Sequence, residues 1–475
     1  MAVPFYALRQ IIRLRYPNCE EPRTLHPGHR TVHRIKVAAA LLCLALPAAA
    51  SLMPDVDQFV AASMKRHLTP GLALVVIRNG QVVHRRGFGE LDQTQPVIIG
   101  SLSKAITATA VMQLVDDGKI ELDAPMQRYL GGLRFSDPAV ASVSVRHLLN
   151  QTSGIPLEAP RAEEHDATLA EHVDALREVR LVAVPGERHI YSSPNYQILG
   201  RIVELSSGLS FNEFVQQRIF APLGMTSSYG VAPPNLAPGR NLWWGVAGPS
   251  FYRFEAGRLP TASIITSADD LSRFALSHLG VGPQILTPAS LALTHRGAAE
   301  ESGFSYAMGW RQGTTADVPS LWHGGAVPSY RGATVLLPES QSAVIVLSNV
   351  SALFADHTRE IAAGTVAILE KRPLPGKFRP LRTTYIAIAL LSAILVALQI
   401  RSLVRAARGE GKPSKRSSVV VFDLMIPLAV VLILPRATGI SYRGMLESAP
   451  DIVMTVIALI LLSAITGLTK LRKMV

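Results

Sequence analysis

Three short segments contain side chains whose types suit acyl-group chemistry: Gly100-Ser101-Leu102-Ser103-Lys104, Tyr191-Ser192-Ser193 and His323-Gly324-Gly325. A serine hydroxyl is a weak nucleophile until a base takes its proton. The apolar run after Ser101 predicts a buried helix that stops at Gly118, with Ser101 at its N-terminus and Lys104 one turn later. Positions i and i+3 share a helix face, so Lys104 can reach the hydroxyl of Ser101, the candidate nucleophile.

Tyr191 is a candidate for the base. A free tyrosine, with a pKa of about 10, is roughly one part in a thousand phenolate at neutral pH, which disfavours the reactive form by about 4 kcal/mol. A nearby cation typically lowers such a pKa by about 1 to 3 units. The sequence therefore predicts that Lys104 and Tyr191 act as a pair.

The third segment is predicted to be a strand whose glycines allow a substrate backbone to lie close. The next backbone N–H, that of Ala326, is a candidate donor to a substrate oxyanion. The N–H groups and the positive dipole end of the helix that begins near Ser101 would be the other donors.

Each motif has a non-catalytic interpretation when taken alone. Ser101 can be an ordinary helix N-cap, Tyr191 a half-buried aromatic residue and His323 an imidazole at the edge of the core. The Ser-x-x-Lys pattern occurs about once by chance in a chain of this length. The three motifs together, in this order and in these local contexts, favour the catalytic interpretation.

The chain resembles the serine β-lactamase and penicillin-binding-protein family, specifically its class C β-lactamase and D-Ala-D-Ala carboxypeptidase branch, from about Asp55 to Glu370. Further matching segments are Val145-Arg146-His147-Leu148-Leu149-Asn150-Gln151-Thr152-Ser153-Gly154, Pro222-Leu223-Gly224-Met225 and Ser267-Ala268-Asp269-Asp270-Leu271. The resemblance implies an α/β (α+β) fold: an antiparallel sheet flanked by helices, with a helical lobe facing it and the site in the cleft between them. No cofactor is predicted.

Carried over to this sequence, the resemblance makes Ser101 the nucleophile, Lys104 its activating partner and Tyr191 the general base. It assigns substrate and oxyanion contacts to Ser193, His323, Gly325 and Ala326. Ser193 stands where many members have Asn, and His323 stands where β-lactamases usually have Lys. A histidine is mostly neutral at pH 7, so efficient β-lactam hydrolysis is not expected. The His-x-Gly form resembles family members that act as esterases, amidases and D-amino-acid peptidases.

The charge of the chain is concentrated at its ends. The net charge of the 475 residues is +12. Residues 1–50 contain seven basic and two acidic side chains, and residues 371–475 contain sixteen basic and four acidic side chains. The net charge of the region between these two ends is therefore −5. Basic residues beside apolar segments are typical of a membrane protein. They do not form the basic surface that binds nucleic acid, so no nucleic-acid partner is predicted. His26, His29 and His33 precede an export-like segment and no metal-binding pattern follows, so no metal site is predicted.

The ends of the chain predict export and anchoring. Residues 1–50 are interpreted as a leader and signal segment, with Ala48-Ala49-Ala50 as a small-residue cleavage site and an uncleaved anchor as the alternative. Both cysteines, Cys19 and Cys43, precede this site. Residues 51–370 form the predicted hydrolase domain, residues 371–382 a Pro-rich linker, and residues 383–475 a membrane domain. Its three predicted spans are Thr383–Ile400, Ser417–Pro435 and Ile452–Thr469.

Local patterns predict three elements within the hydrolase domain. Gly71 to Glu90 is predicted to be a hairpin that turns at Asn79-Gly80. The region from about Ser101 to Leu276 is expected to be mostly helical, and Leu353 to Leu369 is expected to form a closing amphipathic helix.

The basic loop after the first span and the basic tail are predicted to be cytoplasmic, which puts the hydrolase domain on the periplasmic side of the inner membrane. Asp423, near the start of the middle span, is expected to pair with the basic loop. Even a fully extended linker covers only about 37 Å, so the domain is expected to stay close to the membrane.

The three-span tail resembles prodrug-maturing peptidases of the colibactin type, and Ser193 and Asn195-Tyr196 agree with that subgroup, whereas the apolar Val327 departs from it. The sequence thus predicts a membrane-anchored serine peptidase or amidase that acts on D-amino-acid-containing or N-acylated peptides. Two alternatives stay open: an esterase or weak β-lactamase, and a penicillin-binding sensor or partner module that is not an enzyme. The oligomeric state is not predicted.

Overall fold

A computed structural model describes residues 52–160, 162, 166–352, 355–376, 380–410, 416–425, 429, 433 and 442–473. The predicted leader, its cleavage site and both cysteines lie outside the described residues, as does much of the predicted middle span.

The core of the fold is an eight-stranded antiparallel sheet with the strand order β2-β1-β13-β12-β11-β10-β9-β8. A three-stranded sheet (β3-β7-β4) and a two-stranded hairpin (β5-β6) accompany it. The strands are β1 Gly71–Arg78, β2 Gln81–Gly89, β3 Val97–Ile98, β4 Ser228–Tyr229, β5 Arg240–Trp243, β6 Val246–Pro249, β7 Ile265–Thr266, β8 Ala299–Glu301, β9 Phe304–Tyr306, β10 Arg311–Thr315, β11 Val318–Val327, β12 Tyr330–Leu337 and β13 Ser342–Ser348.

The longer helices among the described residues are α1 Met53–His67, α2 Ser103–Asp116, α3 Ser193–Ser207, α4 Ala268–His278, α5 His357–Leu369, α6 Leu381–Arg408 and α7 Pro450–Arg472. Shorter α-helical segments are Pro138–Ala141, Val145–Leu149, Leu169–Asp174, Phe211–Val215, Ala221–Leu223, Pro288–Thr294, Arg416–Val419 and Tyr442–Ser448. Single 3₁₀ turns are Gly100–Leu102, Met126–Tyr129, Ala175–Glu178, Ala256–Arg258 and Pro338–Ser340, and π-helical turns are Gln216–Phe220, Leu259–Ser263 and Val420–Met425.

The central strands are buried on both faces because helices cover both sides of the sheet. The apolar run from Leu72 to Ile77 in β1 is buried throughout, and its alternate residues belong to two different core clusters. One cluster lies against α1 and α5, and the other joins the sheet to the helical lobe. The predicted hairpin is confirmed: Asn79 and Gly80 have φ of 49° and 72°, as a two-residue turn between right-twisted strands requires.

Helix α2 lies in the core, between the sheet and the helical lobe. All its residues from Ser103 to Leu114 are buried, as expected for a helix that is apolar on nearly every side. The helix begins at Ser103, two residues later than predicted. Ser101 lies in the 3₁₀ turn that precedes it, so the turn and the helix together set the position of Lys104 relative to Ser101.

Two predicted elements need correction. The closing helix expected from Leu353 begins at His357, because the side chain of Asp356 caps it by accepting a hydrogen bond from Arg359 N at 3.2 Å. The region from Ser101 to Leu276, expected to be mostly helical, also contains the short strands β4 to β7. These strands are too short to give a clear alternating pattern in the sequence.

At the C-terminus, α6 and α7 are long and apolar enough to cross a membrane, with 28 and 23 residues. They contain the first and third predicted spans. Helix α6 continues to Arg408, so Arg401 and Arg405, which were expected in a loop, lie in its last turns. The carboxylate of Asp423 accepts a hydrogen bond from Lys470 at 2.7 Å, near the end of α7. Its expected pairing with the basic loop stays a prediction, because residues 411–415 of that loop lie outside the described residues.

Candidate active site

Ser101 lies at the centre of a cluster of polar side chains between the sheet and the helical lobe. The Lys104 ammonium donates a hydrogen bond to Ser101 Oγ at 3.0 Å and another to the carbonyl oxygen of Thr261 at 2.9 Å. The side chain of Lys104 is fully buried. The i, i+3 relationship read from the sequence is thus a direct contact, and the second acceptor holds the amine in place.

Tyr191 approaches the same oxygen from the helical lobe. Its hydroxyl donates to Ser101 Oγ at 2.9 Å, across a separation of 90 residues in the chain. A hydroxyl can both donate and accept, so the proton between these two oxygens can be held by either. The Lys104 ammonium lies 5.1 Å from the centre of the Tyr191 ring, within the range of a cation–π contact.

The pKa values of this pair follow from burial and from mutual attraction. Burial lowers the pKa of Lys104 by destabilising the ammonium, and Tyr191 counteracts only part of this effect. Burial alone raises the pKa of Tyr191, but Lys104, the hydrogen bond to Ser101 and Arg311 together bring this pKa below its usual value. Both groups therefore titrate closer to neutrality than free side chains, as a base for a serine hydroxyl requires.

A buried polar network holds the segment that contains Tyr191. Gln151 Oε1 accepts hydrogen bonds from Ser192 N at 2.9 Å and from Asn195 Nδ2 at 2.6 Å. Asn195 Oδ1 in turn accepts from Ser153 Oγ at 2.7 Å. Gln151 has a φ of 58°, a conformation that costs a non-glycine residue about 1 kcal/mol or more. The network therefore holds the turn before α3 in a single geometry.

His323 is buried in β11 and neutral. Its Nδ1 lies 2.6 Å from the carbonyl oxygen of Gly324, which can only accept, so Nδ1 carries the proton. Its Nε2, 3.1 Å from the Tyr306 hydroxyl, then accepts a hydrogen bond from it. Burial, followed by the charges of Arg311 and Lys104, lowers the pKa of His323 well below its usual value. The strand therefore presents no positive charge at this position at pH 7.

The strand β11 packs directly against the turn that contains Ser101. A Cβ atom placed on Gly325 would stand 1.9 Å from the carbonyl oxygen of Ile99, so only glycine fits there. A Cβ atom on Gly100, which has a φ of 56°, would stand 2.3 Å from Ala326 N. These contacts bring the backbone of Ala326 and that of Ser101 to the same side of the cleft.

Ser193 is the first residue of α3, two residues after Tyr191, and its side chain is partly exposed. Val327, at the end of β11, is buried.

The structure thus brings Ser101, Lys104 and Tyr191 into contact. His323 joins them through Tyr306, whose ring lies 6.0 Å from that of Tyr191.

Sequence reasoning missed Arg311. Its guanidinium lies about 5 to 6 Å from the ring centres of four aromatic residues, which are Tyr191 at 5.4 Å, Phe304 at 5.3 Å, Tyr306 at 5.7 Å and Trp322 at 4.9 Å. Its charge acts on Tyr191, Lys104 and His323. No local motif marks Arg311, because these four neighbours come from two other strands, β9 and β11, and from the helical lobe. Gln151 belonged to a matching segment, but its role as an acceptor depends on residues 41 and 44 positions away.

An antiparallel sheet beside a helical lobe, with a Ser-x-x-Lys serine between them, defines the class of β-lactamase-like serine hydrolases and penicillin-binding proteins. Residues 56–367 match the family described as Beta-lactamase, and the chain belongs to this family. It is 30% identical over 375 residues to penicillin-binding protein 4 of Amycolatopsis lactamdurans, covering 69% of this chain and 96% of that protein.

Two solved structures share the fold. The octameric penicillin-binding protein homologue from Pyrococcus abyssi is 26% identical, with a TM-score of 0.60, covering 67% of this chain and 78% of that one. EstCE1, a hydrolase with promiscuous acyltransferase activity, is 20% identical, with a TM-score of 0.58, covering 67% of this chain and 100% of that one. The resemblance inferred from the motifs is thereby confirmed at the level of the family.

Proposed function

We propose that this protein is a membrane-anchored, extracytoplasmic serine hydrolase that works through an acyl-enzyme. One observation carries the proposal: Ser101 Oγ lies within 3.0 Å of both the Lys104 ammonium and the Tyr191 hydroxyl. These are the distances over which a proton can be passed between heavy atoms.

In the proposed reaction, Ser101 Oγ attacks the substrate carbonyl and its proton passes to the Tyr191 phenolate. The carbonyl electron pair moves to oxygen, and the backbone N–H groups of Ser101 and Ala326 stabilise the resulting oxyanion. The carbon–nitrogen bond then breaks, and Tyr191 returns the proton to the leaving amine. Water, deprotonated by Tyr191, hydrolyses the ester on Ser101, which regains its proton. Lys104 stays positively charged and stabilises the phenolate throughout.

We assign the substrate to the class of D-amino-acid-containing or N-acylated peptides, cleaved by peptidase or amidase chemistry. Support comes from the 30% identical penicillin-binding protein and from the neutral His323, which takes the place of a lysine in the β-lactamase pattern. The same neutral residue favours an esterase as the second candidate, because an ester without a carboxylate needs no cation on β11. Ser193 and Gly325 would contact the substrate at the two walls of the cleft.

Helices α6 and α7 support the proposed anchoring and its direction. They run parallel: Tyr385 and Asp451, near their N-termini, both contact the β5–β6 hairpin, and Lys473 Nζ donates to Ala407 O at 2.5 Å at their other ends. Parallel neighbours require the chain between them to return along their length. Asp423 contacts Lys470 at the far end, and the carbonyl of Glu447 contacts Asn241 of the hairpin at the near end. This supports three crossings, with the hydrolase domain opposite the basic ends.

The experiment is active-site labelling of the full-length protein with a fluorophosphonate probe. Wild type should be labelled, Ser101→Ala should not be, and Ser103→Ala, a buried serine two residues on, should retain labelling. Equal labelling of wild type and Ser101→Ala would overturn the assignment. Turnover of an N-acyl-D-amino-acid amide, a short ester and a cephalosporin then separates the peptidase, esterase and β-lactamase alternatives. Stable acylation by penicillin without turnover of any substrate would identify a sensor.

A further inference from the structure

The β5–β6 hairpin presents an apolar surface to solvent. Trp244 is 39% exposed, Val246 70% and Phe251, just beyond the hairpin, 46%. Trp243 links them: its ring lies 6.3 Å from that of Trp244 and 5.7 Å from that of Phe251, and its indole N–H donates to Pro249 O at 3.0 Å. We call these four residues the hairpin cluster.

The turn of the hairpin keeps a tryptophan where the backbone favours a small polar residue. Trp244 and Gly245 have φ of 49° and 89°, the geometry of a turn in which Asn, Asp and Gly predominate. A bulky side chain in the left-handed region costs about 1 kcal/mol or more. Such a conformation, held by the surrounding structure, is characteristic of functional positions.

The hairpin touches the N-terminal turns of both long apolar helices. A Cβ atom on Gly245 would stand 3.1 Å from Tyr385 Cβ in α6. Trp244 N donates to the Asp451 carboxylate, in the first turn of α7, at 3.0 Å. Leu242 at the base of the hairpin packs with Leu381 and Tyr385. The cluster is therefore level with the residues at which the predicted spans, Thr383–Ile400 and Ile452–Thr469, begin.

We infer that the hairpin cluster inserts into the outer surface of the phospholipid bilayer, at the boundary between headgroups and acyl chains. This inference rests on the proposed membrane anchoring. Tryptophan is enriched at that boundary, because its ring is apolar while its N–H is polar. Arg382 and Arg253, both exposed and close in sequence to Tyr385 and Phe251, suit the phosphate groups above it.

The insertion also orients the active site. The base of the hairpin joins one end of the large sheet, where Arg240 N donates to Asn349 O at 2.8 Å. Strand β11 runs toward the same end and terminates at Val327, and Ser329 beyond it donates to Asn241 Oδ1 at 3.2 Å. Bound to lipid, the hairpin would fix the His323–Ala326 segment at a constant height above the bilayer.

The test uses full-length protein in vesicles of phosphatidylcholine and phosphatidylglycerol, with Cys19 and Cys43 replaced by Ser. A nitrobenzoxadiazole dye is attached at Val246→Cys or, as the matched control, at Gln81→Cys. Gln81 is exposed and is the first residue of β2, next to the end of β1 that lies farthest from the β5–β6 hairpin. The eight residues of β1 put it about 26 Å from the hairpin end of the sheet. Both positions belong to the same domain, so they report the same side of the vesicle.

The dye at Val246→Cys should emit at shorter wavelength than the dye at Gln81→Cys. Dithionite should also reduce it about tenfold more slowly, because the burial of one apolar side chain in the bilayer is favourable by at least that factor. Adding Trp244→Ser and Phe251→Ser should bring the two rates together while fluorophosphonate labelling persists. Equal rates in the chain with an intact cluster, in protein that floats with the vesicles and is labelled by fluorophosphonate, would overturn the inference alone. Protein that fails to float would overturn the membrane anchoring and, with it, the hairpin insertion.

Discussion

Gly100 stands so close to Ala326 that a methyl group at Gly100 would meet Ala326 N at 2.3 Å. This contact joins the turn that contains the candidate nucleophile to the strand that contains His323, and it sets the width of the cleft between them.

Gly100→Ala should therefore disable the site without unfolding the domain. Displacing reacting groups by about 1 Å can cost on the order of 100-fold in rate, and we expect at least that loss in the rate of fluorophosphonate labelling. Gly118→Ala is the control, because Gly118 has a similarly positive φ of 70° but nothing within 4 Å of its Cβ position. It should cost about 1 kcal/mol of stability and leave the labelling rate unchanged. A normal labelling rate for Gly100→Ala would count against this geometry.

Tyr191→Phe should lower kcat by about 100- to 10,000-fold, the range typical for loss of a general base. The ring and its packing would remain, so binding should change less than kcat. Tyr196→Phe is the matched control: its ring lies 5.8 Å from Lys104 Nζ, but its hydroxyl donates to Leu149 O at 2.8 Å rather than to Ser101. Steady-state kinetics on the best substrate of the panel compares the two. Similar losses in both variants would show that Tyr191 acts through packing.

Arg311→Gln should move the pH dependence of kcat/KM. Activity requires the Tyr191 phenolate and the Lys104 ammonium, so it rises with pH through the pKa of Tyr191 and falls through that of Lys104. Arg311 lowers both pKa values. Its removal should therefore shift both limbs to higher pH.

Arg359→Gln serves as the control for Arg311→Gln. Arg359 stacks on the same Trp322 at 3.1 Å from the ring centre, and burial lowers its own pKa to about 10. The main causes of the pKa shifts of Tyr191 and Lys104 include Arg311 but not Arg359. Its profile should match that of the wild type. If both limbs of the pH profile of kcat/KM stay at the wild-type pH in Arg311→Gln, the electrostatic role of Arg311 is contradicted.

Gln151→Ala should reduce kcat by loosening the segment of Tyr191, because Ser192 N and Asn195 Nδ2 would lose their shared acceptor. Each buried donor left without a partner costs about 1 to 3 kcal/mol, so the melting temperature should fall as well. Gln113→Ala separates the two effects, since Gln113 donates to the carbonyls of Arg218 and Ile285, which do not contact the site. It should lower the melting temperature with little change in kcat. Equal kcat losses would mean that stability alone is responsible.

Local features of the site were predictable because they depend on neighbours in the chain. Ser101 and Lys104 meet because three residues make about one turn, and the Asn79-Gly80 turn follows from the conformations those residues favour. The two long C-terminal helices were visible in the sequence as uninterrupted apolar runs. The start of α5 was misplaced because the cap at Asp356 is a single hydrogen bond, which periodicity does not report.

The amino-acid sequence by itself determined the family, the order of the three motifs and the two apolar helices, since motif spacing and hydropathy are properties of the chain. Only the tertiary structure decided that Tyr191 and Lys104 both contact Ser101 Oγ, that Arg311 lies beside Tyr191, and that Trp244 contacts the first turn of α7. These relationships join residues that are far apart in the chain. Their distances depend on how the sheet, the helical lobe and the C-terminal helices pack, which no local pattern encodes.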